Sequence, residues 1–313
     1  MKQFQKLFLR KAPGFVKGKM IRNKVNIPKN PAKDFVFKIA TQPDELEQVY
    51  ELLYKAYLEK GFVNEKPCKM HLTPFHGHPL AVTFVGKYGD EVAITISLFP
   101  DSELGLPMDD LYKKELDKLR KQGRFIAEVG SLASSPKFRT GSQLLPLMMN
   151  NIMHRYAKEH LRVEDLVITV NPAHEFVYRH IVFFKRMGKV KPYDTVNGHL
   201  AVPLRLNLHT AHAILKTKTD HLAPNKNLYD FFYKNHYKNV ILPSDNKIVQ
   251  VFNKRLYNQF FSHDNQLDYF VSGKQHLILF ELYDKFEALL EPISIEELSE
   301  IVSQPKVLNE NPN

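Results

Sequence analysis

Apolar residues recur along this chain in two rhythms, one of period two and one of helical spacing, and the alternation between them predicts the elements. Phe35, Phe37 and Ile39 occupy every second position and predict a strand over Phe35–Ile39. Pro43-Asp44-Glu45 then opens a stretch in which Leu46, Val49, Tyr50, Leu53 and Tyr57 keep helical spacing, with acids in the first turn and Gly61 after the last. Ala81–Gly86 and Glu91–Phe99, separated by Tyr88-Gly89-Asp90, predict the two strands of a hairpin. Asp109–Gln122 is a charged helical stretch closed by Gly123, and Phe125–Ala133 is apolar enough for a central strand. After Pro136 a short loop leads into an amphipathic helix through Leu144, Leu147, Met148, Ile152 and Tyr156. Leu166–Val170 reads as a buried strand stopped by Asn171-Pro172, Ala173–Met187 as a helix, and Ala201–Leu206 as a last strand.

This order predicts a mixed α/β sheet with an open edge at its centre. Neither GxGxxG nor GxxxxGK[ST] stands at a strand-to-helix turn, which argues against ATP and NAD. The chain divides into a flexible basic tail over 1–33, an α/β core over 34–208 and a mostly helical extension over 209–313. The extension is rich in Phe and Tyr and includes an acidic helix around Ser294–Ile301.

Composition changes this picture in one respect. The 313 residues are 43% hydrophobic, enough for a buried core and far from a disordered or collagen-like chain. A formal net charge of +10 invites a nucleic-acid partner, but the charge is not spread over the fold. Residues 1–33 hold ten basic and no acidic residues, 34–208 hold 23 basic against 21 acidic, and 209–313 hold 11 against 13. A nearly neutral body has no face for a phosphate backbone, so no nucleic-acid partner is expected. Cys68 is the only cysteine, which excludes an intrachain disulfide and a thiolate metal cluster. No apolar run approaches the roughly 18 residues of a membrane span, and Leu7-Phe8-Leu9 is too short for a secretory core, so a cytoplasmic location is expected.

Among chemistry-bearing residues Glu128 stands out, because Ile126, Ala127, Val129 and Leu132 surround it. A buried, unpaired carboxylate costs several kcal/mol, so such a residue has either a partner, with Arg124 or Arg139 nearest in sequence, or a role as a base. His76/His78 and His209/His212 have ligand-like spacing but no acidic residues in a matching pattern, so hydrogen-bonded histidines and no metal are expected. Ser131 lacks a Gly-x-Ser-x-Gly elbow and Cys68 a nearby histidine, which disfavours a covalent acyl-enzyme.

The unit strand–loop–helix–strand–Asn-Pro–helix over Phe125–Gly188 resembles acyltransferases of the GCN5-related class (GNAT), in which two neighbouring parallel strands splay around an acyl thioester. An ordered set of segments resembles, more narrowly, the N-acyl amino acid synthases of the FeeM type, relatives of the acyl-homoserine-lactone synthases. The set comprises Glu128-Val-Gly-Ser-Leu-Ala133 with Pro136-Lys-Phe-Arg139, Asn171-Pro-Ala-His174 with Tyr178, Pro192-Tyr-Asp-Thr-Val-Asn-Gly198, and Val202-Pro-Leu-Arg-Leu206.

The resemblance implies a GNAT-like fold and transfer of a long fatty acyl group from acyl carrier protein to the α-amine of an amino acid. It implies Glu128 as general base and Tyr178, seven residues after Asn171, as the acid that protonates the thiolate. The amides at Gly130 and Ser131 are the expected oxyanion donors. Arg139, Thr140, Gly141, Ser142, Gln143 and Asn171 are expected around the pantetheine arm and its phosphate. Phe138 and Gln143 depart from the usual phosphate loop of the wider class, which weakens coenzyme A as donor. No tightly bound cofactor is implied; the co-substrate is acyl-phosphopantetheine on acyl carrier protein, or acyl-CoA. Two other readings stay open, an N-acetyltransferase using acetyl- or acyl-CoA and a non-catalytic binding module of the same fold. The tail is expected to meet acidic acyl carrier protein or an anionic membrane surface, and removal of Met1–Pro31 to spare the fold.

Overall fold

The computed structural model describes residues 18, 19, 22, 25–139, 144–244, 247–261 and 272–288. In chain order these form β1 (Val36–Ile39), α1 (Pro43–Glu59), β2 (Val82–Tyr88), β3 (Glu91–Pro100), α2 (Asp109–Arg120), β4 (Ile126–Ser134), α3 (Leu144–Arg155), β5 (Asp165–Val170) and α4 (Pro172–His180). There follow β6 (Lys185–Arg186), β7 (Lys191–Tyr193), β8 (His199–Asn207), α5 (Leu208–Thr219), α6 (Leu228–Tyr233), α7 (Lys254–Phe261) and α8 (Gly273–Ala288). The sheet runs β1-β2-β3-β4-β5-β8-β6, with β7 also on β8. Every pairing between these strands is antiparallel except that of β4 with β5.

The main core gathers α1, α3 and the sheet with aromatic residues of the extension, among them Phe231, Phe252 and Tyr283. A smaller apolar cluster lies under α2, where Tyr112, Leu116 and Leu119 at helical spacing meet Phe99, Ile126 and Val167. Asp165, fully buried at the start of β5, receives Arg124 Nε at 2.6 Å and Arg205 Nε at 2.7 Å, which ties β4, β5 and β8 together at one end. With Arg124 committed to Asp165 and Glu164, it is not the partner of Glu128.

Two expectations meet a different structure. The helix expected over Ala173–Met187 ends at His180. Phe183 takes a left-handed conformation (φ 64°), Phe184 N–H turns back to Tyr178 O at 3.0 Å, and Lys185–Arg186 pair with Arg205 and Leu204. The free edge of β8 supplies ladder partners there that a continued helix would leave unused. The end of the basic tail also lies against the fold: Ile27 is buried and its N–H bonds to Asn225 O at 2.7 Å. Truncation through Pro31 therefore removes a core side chain, and with it the contact of Arg22 with His180 O.

The extension is tied into the body by hydrogen bonds as well as packing. Phe37 N–H reaches Asn239 O and Ile241 N–H reaches Phe37 O, so this strip covers the edge of β1. Asn151 Nδ2 donates to Phe231 O at 2.6 Å and Tyr156 Oη accepts from Val249 N at 2.9 Å. Its expected helix around Ser294–Ile301 lies outside the described residues. No helix among the described residues is long and apolar enough to cross a membrane.

Candidate active site

The site begins where β4 and β5, the one parallel pair among the described strands, open. β4 and β5 pair over Ile126–Glu128 and Asp165–Val167 alone, although β4 stays paired to β3 as far as Ser134 and β5 to β8 as far as Val170. Beyond Glu128 the two strands follow different outer neighbours and part, leaving the inward edge of β4 without a strand partner. Glu128 stands at the apex of this opening.

The Glu128 carboxylate is 5% exposed, and Oε2 accepts Met108 N–H at 2.8 Å. No cation is bonded to it among the described residues. Burial pushes its pKa up to about 8 against the lowering effect of the Met108 bond, with added repulsion from Asp109, Asp110 and Asp101. A carboxylate of that basicity suits proton abstraction from an ammonium group. Tyr57 and Tyr193 face the same charge. Burial first and Glu128 second push Tyr57 up to about 12, and the same two causes raise Tyr193, whose hydroxyl donates to Pro107 O at 2.9 Å. Both phenols stay neutral donors beside the carboxylate.

Two residues past the apex, β4 carries a bulge. Thr95 pairs with Ala133 and Ser97 with Gly130, so Ser131 and Leu132 together oppose Ile96. The left-handed residue is Ser131 (φ 53°), not Gly130. Gly130 serves close approach instead, since a Cβ there would lie 3.2 Å from the Phe99 ring. The Ser131 hydroxyl meets His76 Nε2 at 3.0 Å. Burial pushes His76 down to about 3, with repulsion from His71 adding to this, so the ring is neutral.

His76 lies in a tight turn, Pro74–Gly77, that the extension holds from behind. The Tyr283 hydroxyl donates to Gly77 O, and a Cβ on Gly77 would stand 3.1 Å from the rings of Tyr257 and Phe261. Tyr50 bridges the two, its ring edge-on to both His76 and Phe260. Tyr283→Phe leaves the Gly77 carbonyl buried without that donor, a loss of about 1–3 kcal/mol. The expected result is a lower melting temperature with faster amide exchange over residues 74–78; unchanged exchange there would show that the turn stands without the extension.

The other expected site residues are distributed as follows. Tyr178 is half-buried on α4 with its ring edge-on to Phe184, and burial raises its pKa. Its hydroxyl makes no hydrogen bond to Glu128 or to the bulge residues. Asn171 caps α4, its side chain accepting Ala173 N–H at 3.0 Å. Arg139 forks onto Glu59 at 2.8 and 2.9 Å and donates to Ser134 O, so a phosphate would displace a carboxylate there. Thr140, Gly141, Ser142 and Gln143 lie outside the described residues. His78 accepts Leu80 N–H through Nδ1 at 3.0 Å, and His212 bonds the Tyr229 hydroxyl. Among the described residues no group of three or more metal-binding side chains comes together. A cavity of about 390 Å³ between α4, β6 and α5 is lined by Arg179, Phe183, Lys185 and Ile214.

Glu128, Gly130 and Ser131, expected from the sequence, lie along one segment of β4; Tyr57, Tyr193 and His76, which face that segment from other elements, are not among the residues expected there. In sequence Tyr57 belongs to an apolar stripe, although a tyrosine at the end of a buried helix face carries a polar tip that needs a destination.

A model of the family described as N-acyl amino acid synthase FeeM matches residues 48–207. The solved structure of FeeM, an N-acyl amino acid synthase from uncultured soil microbes, is 26% identical over 57% of this chain and 93% of that one, with a TM-score of 0.52. The acyl-homoserine-lactone synthase LasI is 15% identical over 67% of this chain and 98% of that one, with a TM-score of 0.44. BjaI, a coenzyme A-dependent acyl-homoserine-lactone synthase, is 13% identical over 57% and 89%, with a TM-score of 0.43. No curated protein matches the chain.

Proposed function

This chain belongs to the FeeM family of N-acyl amino acid synthases and is an N-acyltransferase with a GNAT-like fold, and from that premise we propose that it transfers a long-chain acyl group from acyl carrier protein to the α-amine of an amino acid. The observation that carries this reading is Glu128 at the apex of the parted β4–β5 pair, two residues before Gly130, where the bulge segment begins. The pantetheine arm lies along the unpartnered edge of β4 and brings the thioester carbonyl to the amides of Gly130 and Ser131. Glu128 takes a proton from the ammonium group of the acceptor. The amine nitrogen attacks the carbonyl carbon, the tetrahedral intermediate collapses with cleavage of the C–S bond, and the proton left on nitrogen passes to the departing thiolate. Tyr178, kept protonated by burial, is the proposed relay: its hydroxyl gives its proton to the thiolate and takes up the proton left on nitrogen. Arg139 and residues Thr140, Gly141, Ser142 and Gln143 take the phosphate, with Glu59 released, and Asn171 borders the arm. The basic tail meets the acidic carrier protein or an anionic membrane surface.

The deciding experiment supplies purified enzyme with medium- and long-chain acyl-acyl carrier protein, or the matching acyl-CoA, and a mixture of amino acids. N-acyl amino acids from the carrier-protein thioester are the expected products. Transfer from coenzyme A alone would replace the donor, and no amide from either would end the reading. Tyr178→Phe is expected to lower kcat at least tenfold with little change in melting temperature; an unchanged kcat returns Tyr178 to packing against Phe184.

A further inference from the structure

The contact between His76 and Ser131 has the arrangement of a base and a nucleophile but the opposite proton order. Thr73 N–H donates to His76 Nδ1 at 2.9 Å, and the Thr73 hydroxyl lies 3.0 Å from the same atom. With Nδ1 accepting, the proton of the neutral ring is on Nε2. Nε2–H therefore donates to Ser131 Oγ at 3.0 Å and cannot accept the hydroxyl proton. Ser131 is then no acyl acceptor. Its oxygen is engaged as an acceptor while its own O–H is left to donate, and among the described residues it has no other hydrogen-bond partner.

The surroundings say where that donor works. Phe99 and Glu128 are cross-strand partners, so their side chains share one face of the sheet. His76 packs edge-on against Phe99 at 4.9 Å between ring centres, and Phe99 also covers Gly130. The Ser131 hydroxyl and the Glu128 carboxylate thus lie on the same face, on the stretch of β4 that has no strand partner towards β5. Ser131 also keeps a left-handed backbone that glycine would hold with less strain, so the side chain is retained against conformational preference.

We propose that the Ser131 hydroxyl is a side-chain donor to the oxyanion of the tetrahedral intermediate, and that His76, fixed by Thr73, is the positioning residue that aims it. This rests on the acyl-transfer reading. The donor adds to the bulge amides and strengthens as negative charge develops on the carbonyl oxygen, so it acts on the chemical step more than on binding. His71 is the neighbouring titratable group that acts on His76; Tyr50, Phe99 and Thr73 complete its surroundings.

The test uses the full chain and four variants. Ser131→Gly suits the left-handed backbone and removes the CH2OH group with its hydroxyl. It is expected to melt within a few degrees of wild type, the relieved backbone offsetting part of the bond lost from His76, while kcat falls roughly 100-fold and the KM for acyl donor stays near its original value. His76→Leu is expected to lose a similar factor, and His76→Gln, which keeps an N–H at the same reach, to recover most of it. His76→Leu combined with Ser131→Gly is expected to be no slower than Ser131→Gly alone. Wild-type kcat in Ser131→Gly, a His76→Gln variant as slow as His76→Leu, or multiplying losses in the double variant would each overturn the proposal. An arm without turnover uses 15N-histidine NMR of the wild-type protein, with the His76 signal identified by its absence in His76→Gln. A neutral Nε2–H tautomer from pH 5 to 9 is expected; an Nδ1–H tautomer, or titration near the ordinary histidine value, overturns the positioning arrangement whatever the enzyme transfers. No turnover from wild type with either donor ends the acyl-transfer reading and the oxyanion role with it.

Discussion

Glu128→Gln is expected to make the protein more stable at pH 9 and nearly inactive. The folded-state pKa of Glu128 is raised from 4.5 to about 8. Below pH 4.5 the group is protonated in both folded and unfolded chains and costs nothing. Between pH 4.5 and about 8 the unfolded chain ionises while the folded one retains its proton, so wild-type stability falls as pH rises and levels off above that window. At about 1.4 kcal/mol per unit the full penalty is on the order of 5 kcal/mol. Glutamine preserves an acceptor for Met108 N–H but buries an amide NH₂, which returns about 1–3 kcal/mol of that gain. The expected result is a melting temperature a few degrees above wild type at pH 9, with no gain at pH 4. Activity moves the other way. The general base supplies about 100- to 10,000-fold, so kcat should fall by that order and the rise of kcat/KM through pH 8 should disappear, leaving only the ionisation of the amine. Wild-type turnover in the variant would remove Glu128 from the chemistry, and equal pH dependence of melting in the two proteins would mean that the carboxylate ionises freely in the fold.

That Glu128 was legible in the sequence has a simple cause: one charge inside an apolar run is a local signal. Most elements were local in the same way. The alternation at Phe35, Phe37 and Ile39, the hairpin around Gly89 and the stop at Asn171-Pro172 are each decided within a few residues, and each strand and helix they predicted is present. What was hidden depends on residues far apart in the chain. His76 and Ser131 are separated by 55 positions and Tyr283 and Gly77 by 206, and no periodicity records such pairs. The bulge was hidden for another reason. Left-handed backbone is expected at glycine, and here it falls on Ser131 beside Gly130. The over-long helix reflects Ile181–Met187, whose apolar spacing suits a helix until β8 offers an edge for Lys185 and Arg186. The parting of β4 and β5 came from the family pattern rather than from any residue preference, because it arises from which neighbours the strands follow.

Replacing Arg120 is expected to be the most damaging single change to the support of the site. Its guanidinium holds Asp101 through Nε and Nη2 at 2.7 and 2.8 Å, Asp109 through Nη1 and Nη2 at 2.7 Å, and Asp117 at 2.9 Å. Asp109 in turn accepts Leu106 N–H at 2.7 Å, which sets the turn that aims Met108 N–H at Glu128. Burial already raises the Asp101 pKa with Arg120 present, so without it this carboxylate is left charged and unpaired as pH rises. Arg120→Met should cost about 3–5 kcal/mol at pH 8, the usual loss when one partner of a buried ion pair is removed. The sign again follows from protonation. As pH falls the freed Asp101, already raised by burial, takes up a proton in the folded state, so the loss shrinks at acid pH and grows towards neutrality. Asp101, Asp109 and Asp110 repel the Glu128 charge, and losing the Arg120 counter-charge should move the alkaline rise of kcat/KM upward from pH 8 while kcat on the plateau falls less than in Glu128→Gln. Urea melts at pH 5 and pH 8 beside the pH–rate profile measure both effects. A destabilisation equal at the two pH values, with the rate profile unmoved, would mean that Arg120 contributes packing alone and that the three aspartates do not set the basicity of Glu128.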